Sequence, residues 1–143
     1  MRIKLEHLAK GYPPEACLQL LRLVAKHEAP GTATVSIINV PHSMTGKAWP
    51  DGRVELGLGP RFTLRPIVPT VASIRRLLPT VPCRDWRDAF VWLAGHELRH
   101  LTQYAQKPCC KRCAEQDAEE QAARALGRWR ARTGRPPLVT KSA

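Results

Sequence analysis

The stretch Trp92-Leu93-Ala94-Gly95-His96-Glu97-Leu98-Arg99-His100-Leu101 contains the pattern His-Glu-x-x-His. On a helix, residues four apart lie about 40° from one another around the axis and one turn apart. The imidazoles of His96 and His100 are therefore expected to reach one metal ion, and zinc accepts such ligands at about 2.0–2.1 Å. Glu97 projects beside that ion without binding it, where a general base for a metal-bound water must sit.

The residues around this pattern predict that its helix is buried. Apolar and aromatic residues fall on both sides of the histidine face, and they include Phe90, Val91, Trp92, Leu93, Leu98, Leu101 and Tyr104. A helix that is apolar over most of its circumference packs inside a protein. Buried histidines and a buried glutamate need partners, which a metal ion supplies. The alternative is a surface helix that carries the pattern by chance and binds no metal.

Length and composition bound the class of protein. The chain has 143 residues, of which 43% are hydrophobic, and this suits one globular domain with a core. No apolar run approaches the roughly 18 residues of a membrane span, and no apolar segment follows the first six residues as in a secretory signal. We therefore expect no membrane partner. The five cysteines, an odd number, are expected to be reduced thiols, which favours a cytoplasmic location.

The formal net charge of +11 raises the expectation of an anionic partner such as nucleic acid. Basic residues are densest in the last third of the chain, where they are Arg124, Arg128, Arg130, Arg132, Arg135 and Lys141. Trp129 is the one aromatic residue among them, so the sequence reveals no stacking platform. The alternative is that the charge serves no specific ligand, as in many small basic proteins.

Hydrophobic periodicity and turn residues predict four helical segments and three strands. The helices are Pro13 to about Lys26, a turn or two within Ser73–Leu78, about Asp85 to Gln106, and Ala114 to about Arg132. The strands are Thr32–Val40, Arg53–Leu58 and an edge strand within Arg61–Val68. Asp85 is placed to cap the long helix, and Pro108 to end it. The segment from Pro41 to Gly52 is expected to be a loop.

These elements predict an α+β fold. It has an N-terminal helix, a small antiparallel or mixed sheet of about three strands, and a buried His-Glu-x-x-His helix followed by a C-terminal helix. One domain is expected over residues 1–132, with 133–143 as a flexible basic tail. Arg53–Leu58 alternates polar and apolar residues, and such a strand beside the central helix could hold an extended peptide by strand addition.

Three cysteines, Cys109, Cys110 and Cys113, form a pattern like half of a zinc knuckle. A structural zinc usually needs four ligands, and Cys83 lies at the far end of a helix about 30 Å long. The sequence therefore favours a tight turn between helices, while a second metal at these cysteines stays open. Cys17 is expected to be a small buried hydrophobe.

Helical geometry sorts the acidic residues that follow His100. At 100° per residue, Glu115 and Glu119 fall within an apolar arc that they share with Ala118, Ala122, Leu126 and Trp129. Asp117 and Glu120 fall on the far side, which we expect to face solvent. The two small alanines let this helix approach the histidine helix closely. A carboxylate buried there needs a cation or a donor, so Glu115 and Glu119 are both candidate metal ligands.

The two helical motifs together resemble zincin metallopeptidases of the gluzincin type. His96-Glu97-Leu98-Arg99-His100, followed by Glu115-Gln116-Asp117-Ala118-Glu119-x-x-Ala122, is similar to minimal gluzincins such as the SprT-like proteins and the ImmA/IrrE peptidases. Those proteins follow His-Glu-x-x-His with a helix of the form Glu-x-x-Ala-(Asp or Asn). The resemblance spans about residues 32–128. The chain departs from it at Glu119, in the proline-rich segment 59–82 and in the cysteine turn.

The resemblance implies zinc-dependent hydrolysis of peptide bonds in a protein or peptide substrate. His96, His100 and Glu115 would hold one Zn²⁺ per chain, and Glu115 is chosen because it matches the leading glutamate of the family pattern. Glu119 would accept a hydrogen bond from a ligating imidazole, or serve as the alternative ligand. Glu97 would take the proton of a zinc-bound water and pass it to the leaving amine. Candidates for stabilising the oxyanion are Tyr104 and His42.

Two other functions stay open. One is a basic nucleic-acid-associated protein in which zinc is only structural. The other is a degenerate zincin that binds a protein partner without catalysis. The intact Glu97 favours the peptidase over both, because a structural metal site does not need a base.

Overall fold

The computed structural model describes residues 1–7, 9–60, 62, 66–106 and 110–136. Within these residues the strands are β1 (Arg2–His7), β2 (Thr32–Asn39), β3 (Met44–Ala48) and β4 (Arg53–Leu58). The helices are α1 (Pro14–Ala25), α2 (Ala72–Leu77), α3 (Trp86–Gln106) and α4 (Lys111–Arg132). The predicted α+β fold is confirmed, with the His-Glu-x-x-His pattern on α3 and a C-terminal helix after it.

The strands form one mixed sheet in the order β1-β2-β4-β3. β2 is parallel to both β1 and β4, while β3 runs antiparallel to β4 at the edge of the sheet. Alternate residues of β2, namely Ala33, Val35 and Ile37, are completely buried in the core. The period-two alternation of β-branched and small residues therefore places one face of the sheet against the helices.

The sheet has four strands where the sequence predicted about three. β1 was not predicted, although Ile3 and Leu5 alternate with charged residues as in a half-buried strand. β3 lies within the segment predicted to be a loop, so that prediction is wrong. Met44–Ala48 includes a glycine and has little intrinsic strand propensity, and the segment is held as a strand by its ladder with β4.

β4 is a central strand, with β2 on one side and β3 on the other. The prediction that Arg53–Leu58 could hold an extended peptide by strand addition is therefore wrong, because both of its hydrogen-bonding edges are already paired. The free edge near α3 belongs to β3. The predicted edge strand at 61–68 lies partly outside the described residues, and within the described part Ile67 makes an isolated bridge to Val81.

The central helix α3 begins after Asp85, as predicted. Asp85 Oδ1 accepts hydrogen bonds from the backbone N–H groups of Arg87 (3.0 Å) and Asp88 (3.4 Å), which satisfies donors at the helix start. α3 packs closely on α4 where Gly95 faces Ala122 and Ala125: an added Cβ at Gly95 would lie 3.1 Å from the Ala122 Cα, closer than an ordinary contact. Pro108, predicted to end the helix, lies outside the described residues.

The first residues of the segment 133–143, for which the sequence predicted a flexible tail, make contacts with the rest of the fold. The Arg135 guanidinium contacts the carboxylates of Asp85 and Asp88 at 2.6 Å each, which ties this segment to the start of α3. Arg130 Nε donates to the Pro136 carbonyl at 2.7 Å. Residues 137–143 lie outside the described residues. None of the helices described here has the length and apolarity needed to cross a membrane.

Candidate metal centre

His96 and His100 lie one turn apart on α3, and both point their Nε2 atoms at Glu115 on α4. His96 Nε2 is 3.3 Å from Glu115 Oε2, and His100 Nε2 is 3.2 Å from Glu115 Oε1. Glu115 can face them because the small residues between α3 and α4 bring the two helices together. The structure thus brings together the three residues that the sequence analysis named as metal ligands.

These three side chains suit a tetrahedral zinc ion. Their ligand atoms all lie within 4.8 Å of one another, and no other cluster of this kind occurs among the described residues. Around a tetrahedral ion with bonds of 2.0–2.1 Å, ligand atoms are separated by about 3.3 Å, which agrees with the Nε2–carboxylate distances. One donor set of catalytic zinc sites is two imidazoles and one carboxylate, with the fourth position left for water or substrate.

His100 is oriented by Gln103, one helical turn further along α3. The Gln103 Oε1 atom lies 2.8 Å from His100 Nδ1. The amide nitrogen of Gln103 donates to the Ala114 carbonyl (2.7 Å) and to Asp117 Oδ2 (2.9 Å), so the amide oxygen is left facing the imidazole. Sequence analysis missed Gln103; its spacing of three residues from His100 is the signal that could have found it.

Asp117 takes part in an ion-pair network, although its side chain is 39% exposed on the side that the helical projection assigned to solvent. Its carboxylate accepts two hydrogen bonds from Arg99, at 2.7 and 3.3 Å, in a bidentate arrangement. Arg99 also contacts Glu28 Oε2 at 3.5 Å, and Glu28 is bound by the Thr102 hydroxyl at 2.5 Å. The projection did not reveal this network because Arg99, between the two histidines, reaches across to the flank of α4.

Glu97 is buried beside the cluster and is not one of its ligand residues. Burial raises its pKa to about 7, and the negative charge of Glu115 acts in the same direction. Gly46 on β3 leaves room for its side chain: a Cβ at that position would lie 2.3 Å from Glu97 Oε1. A carboxylate with a pKa near neutrality, held within a cleft, is suited to accept and return a proton.

Glu119 is fully buried, as its place on the apolar arc predicted, but its partners differ from those expected. Oε1 accepts hydrogen bonds from the Thr70 and Val71 backbone N–H groups, at 2.7 and 3.1 Å, and from the Thr70 hydroxyl. Among the described residues Oε2 has no hydrogen-bond partner. The predicted hydrogen bond from a ligating imidazole is thus not made, and Glu119 is not in the metal cluster.

Electrostatics favour the neutral form of His96, which is the form that binds a metal. Burial lowers the pKa of His96, and the neighbouring His100 lowers it further. The carboxylates of Glu115 and Glu119 oppose this shift without reversing it. The negative charge of Glu119 therefore acts on His96 through space, although the two side chains share no hydrogen bond.

A cleft of about 690 Å³ opens over the cluster. It lies between α3, the start of α4 and the edge strand, and it is lined by Gly46, Lys47, Ala48, His96, Glu97, His100, Gln103, Tyr104, Cys110, Lys111, Ala114 and Glu115. Tyr104 lines the cleft and donates from its hydroxyl to the Ala48 carbonyl at 3.1 Å. His42 is exposed in the turn between β2 and β3 and is not among the cleft residues.

Of the described cysteines, Cys17 lies in the core, Cys83 is partly buried ahead of α3, and Cys110 and Cys113 lie at the start of α4. Cys17 is completely buried, as predicted, and burial raises its pKa to about 11. Cys110 caps α4, with its Sγ accepting from the Cys113 backbone N–H at 3.1 Å. Cys109 lies outside the described residues, so the second metal site suggested for Cys109, Cys110 and Cys113 stays a prediction.

Comparison with known proteins gives no family for this chain: no family model, no curated protein and no solved structure matches it. The chemistry of the cleft is therefore the basis on which its function can be inferred.

Proposed function

We propose that this protein is a zinc-dependent peptidase of the zincin type. The observation that carries the proposal is the arrangement of His96, His100 and Glu115 around one point, with Glu97 buried beside them and outside the ligand set. A structural zinc site is closed by four protein ligands, whereas this cluster supplies three within an open cleft. Hydrolysis requires a general base such as a buried carboxylate beside the metal, whereas a purely structural zinc site requires none.

The residues of the cleft have separate roles in peptide hydrolysis. Bound zinc would supply Lewis-acid chemistry, lowering the pKa of a coordinated water and polarising the scissile carbonyl. Glu97 accepts a proton from the attacking water and returns it to the leaving amine, for which a pKa of about 7 is well matched. Gln103 holds the His100 ring in place. The Tyr104 hydroxyl, at the same cleft, is the candidate to stabilise the oxyanion, for which it would exchange its hydrogen bond to the Ala48 carbonyl.

An extended peptide is the substrate form that suits this cleft. Among the described strands β3 pairs with β4 alone, and its residues Gly46, Lys47 and Ala48 line the cleft. A peptide strand added there would hydrogen-bond to the β3 backbone and run past Glu97. This replaces β4 as the strand proposed to hold the substrate.

The test is cleavage of an unfolded protein and of a mixed peptide library, followed by mass spectrometry. We expect cleavage that a chelator abolishes and one equivalent of zinc restores. Glu97→Gln should keep zinc and lower the rate by about 10²–10⁴-fold, because it removes only the base. Glu15→Gln, on the exposed start of α1, is the matched control. Full activity of Glu97→Gln, or no cleavage by the zinc-loaded wild type, would overturn the proposal.

A further inference from the structure

A groove remote from the metal centre lies between the C-terminal halves of α1 and α4. It joins two cavities, of about 160 and 490 Å³, that share Leu23, Lys26, Trp129 and Arg132. Its apolar floor is formed by Leu23, Val24, Val91, Ala125 and Trp129, and its basic rims by Arg22, Lys26 and His27 of the α1 region and Arg128 and Arg132 of α4. We call this the basic groove. It lies about 20–25 Å from Glu115 along α4, at 1.5 Å per residue.

The charge of the basic groove has one sign. No carboxylate is among the described residues that line it, and none of its rim side chains makes an ion pair within the described chain. Arg22, Lys26, Arg128 and Arg132 are all exposed at the rims. An anion seated between them would therefore meet four permanent cations, and no described carboxylate lines the groove.

The rim cations are close enough to repel one another. Burial lowers the pKa of His27, and the charges of Arg128 and Lys26 lower it further. Burial likewise lowers the pKa of Arg128, and Arg124 adds to this while Glu28 opposes it. Glu28 opposes the shift of His27 as well, but its side chain is buried and bound by Arg99 and Thr102, so it does not line the groove. Bound anionic charge would relieve this repulsion.

The floor of the basic groove has room for an aromatic ring. Trp129 lines both cavities, and its Nε1 donates to Asp88 Oδ1 at 3.2 Å, which fixes the indole in place. A cavity of roughly 150 Å³ can hold one benzene molecule, so the smaller cavity matches a single six-membered ring. Aromatic surface combined with a line of cations is how proteins bind single strands, whose bases are free to stack.

We propose that the basic groove binds single-stranded nucleic acid, with phosphates at Lys26, Arg128 and Arg132 and one base in the cavity beside Trp129. The inference does not depend on the proposed peptidase activity, because no residue of the groove lies in the metal centre. A duplex would present its phosphates but keep its bases stacked inside, so it would leave the apolar cavity empty.

The test is fluorescence anisotropy of a labelled 12-nucleotide single strand, as DNA and as RNA, titrated with the full chain from 50 to 200 mM salt. Lys26→Glu with Arg132→Glu should weaken binding by at least about tenfold at low salt and reduce the slope of log K against log salt by about 1.4. Lys10→Glu with Arg76→Glu makes the same change in net charge at exposed sites outside the groove, and should weaken binding by less than about threefold.

Four results would contradict the proposal. They are equal losses in the two double variants, tighter binding of a duplex of the same length, equal competition by inorganic polyphosphate, and binding only to vesicles of anionic phospholipid. Both α1 and α4 end near the groove, so the cations also interact favourably with helix C-termini. If the groove variant unfolds, Arg132→Gln alone should still reduce the salt slope, by about 0.7. An unchanged slope would show that the cations serve only the helix ends.

Discussion

The amide oxygen of Gln103 lies 2.8 Å from Nδ1 of His100, and this contact sets the state of a metal ligand. An amide oxygen only accepts hydrogen bonds, so Nδ1 carries the proton. His100 Nε2, which faces Glu115, is left with a lone pair for a metal. If the Gln103 amide rotated by 180°, it would lose its hydrogen bonds to Ala114 and Asp117.

Replacing Gln103 should therefore weaken zinc binding without removing a ligand. We expect Gln103→Leu to raise the dissociation constant for zinc by about 10–100-fold, because the His100 ring loses the partner that orients it. A competition titration with a fluorescent zinc chelator measures this. Gln106→Leu, an exposed position on the same helix, is the control and should bind zinc as the wild type does. Equal affinities for the two variants would remove Gln103 from the site.

The position of Asp117 makes a second prediction that differs from the one its helical projection suggests. Asp117 holds both Gln103 and Arg99, so Asp117→Ala should raise the zinc dissociation constant by about tenfold. Glu120→Ala removes a carboxylate three residues later that accepts a hydrogen bond from Gln116, and it should change the zinc dissociation constant little. The same titration compares them, and matching values for these two alanine variants would contradict the network described here.

The position of Gly46 predicts that a substitution there will slow peptide cleavage and leave zinc affinity nearly unchanged. In Gly46→Ala the new methyl group would occupy the position of the Glu97 carboxylate, which must move. We expect zinc affinity to change by less than about threefold and the rate of peptide cleavage to fall by about 10²-fold, because a misplaced base loses most of its effect. Gly127→Ala is the matched control, since a Cβ there meets nothing within 4 Å. Wild-type activity in Gly46→Ala would show that Glu97 is free to act from another position.

The ion pairs of Arg135 with Asp85 and Asp88 predict that the free energy of unfolding depends on pH. A hydrogen bond from Arg135 lowers the pKa of Asp85 below its ordinary value of 3.8, while burial opposes the shift. A lowered folded-state pKa gives stability that is present above about pH 4 and lost as the pH falls through the folded pKa. Arg135→Gln should reduce the free energy of unfolding at pH 7 by about 2–3 kcal/mol, because Asp88 is left buried with fewer partners.

Thermal melts of the wild type and Arg135→Gln from pH 7 to pH 3 measure this effect. The difference in Tm should be largest near neutrality and shrink below about pH 4, as Asp85 gains a proton. Arg76→Gln, exposed on α2, supplies the comparison and should melt with the wild type at every pH. A Tm difference that grows on acidification would contradict the assigned pair.

The features predicted from sequence are those that depend on local periodicity. The helical spacing of His96, Glu97 and His100 fixes their relative directions whatever the rest of the fold. The same reasoning along α4 left Glu115 and Glu119 as candidates, and the resemblance to gluzincins chose Glu115. β1 was missed because it pairs with a distant strand, with Arg2 opposite Thr32, whereas β3 forms a hairpin with the next strand and was missed because its own residues give no strand pattern. Strand propensity is a weak guide for an edge strand that contains a glycine.

Contacts from other parts of the fold account for what the sequence analysis missed at the site. The projection that sent Asp117 to solvent considers only α4, whereas Arg99 reaches it from α3. Glu119 was assigned to an imidazole, and its hydrogen bonds instead come from Thr70 and Val71, in a proline-rich segment with no clear pattern. The basic groove could not be seen in the sequence, since it forms only when α1 and α4 both pack on α3.

The most direct test of the metal centre is a count of zinc in protein purified without added metal, by plasma mass spectrometry. We expect about one zinc per wild-type chain, close to none in His96→Ala and Glu115→Ala, and about one in Glu119→Ala, whose carboxylate lies outside the cluster. A wild-type chain that binds no zinc at micromolar concentration, or a Glu115→Ala variant that retains a full equivalent, would contradict the assignment of His96, His100 and Glu115.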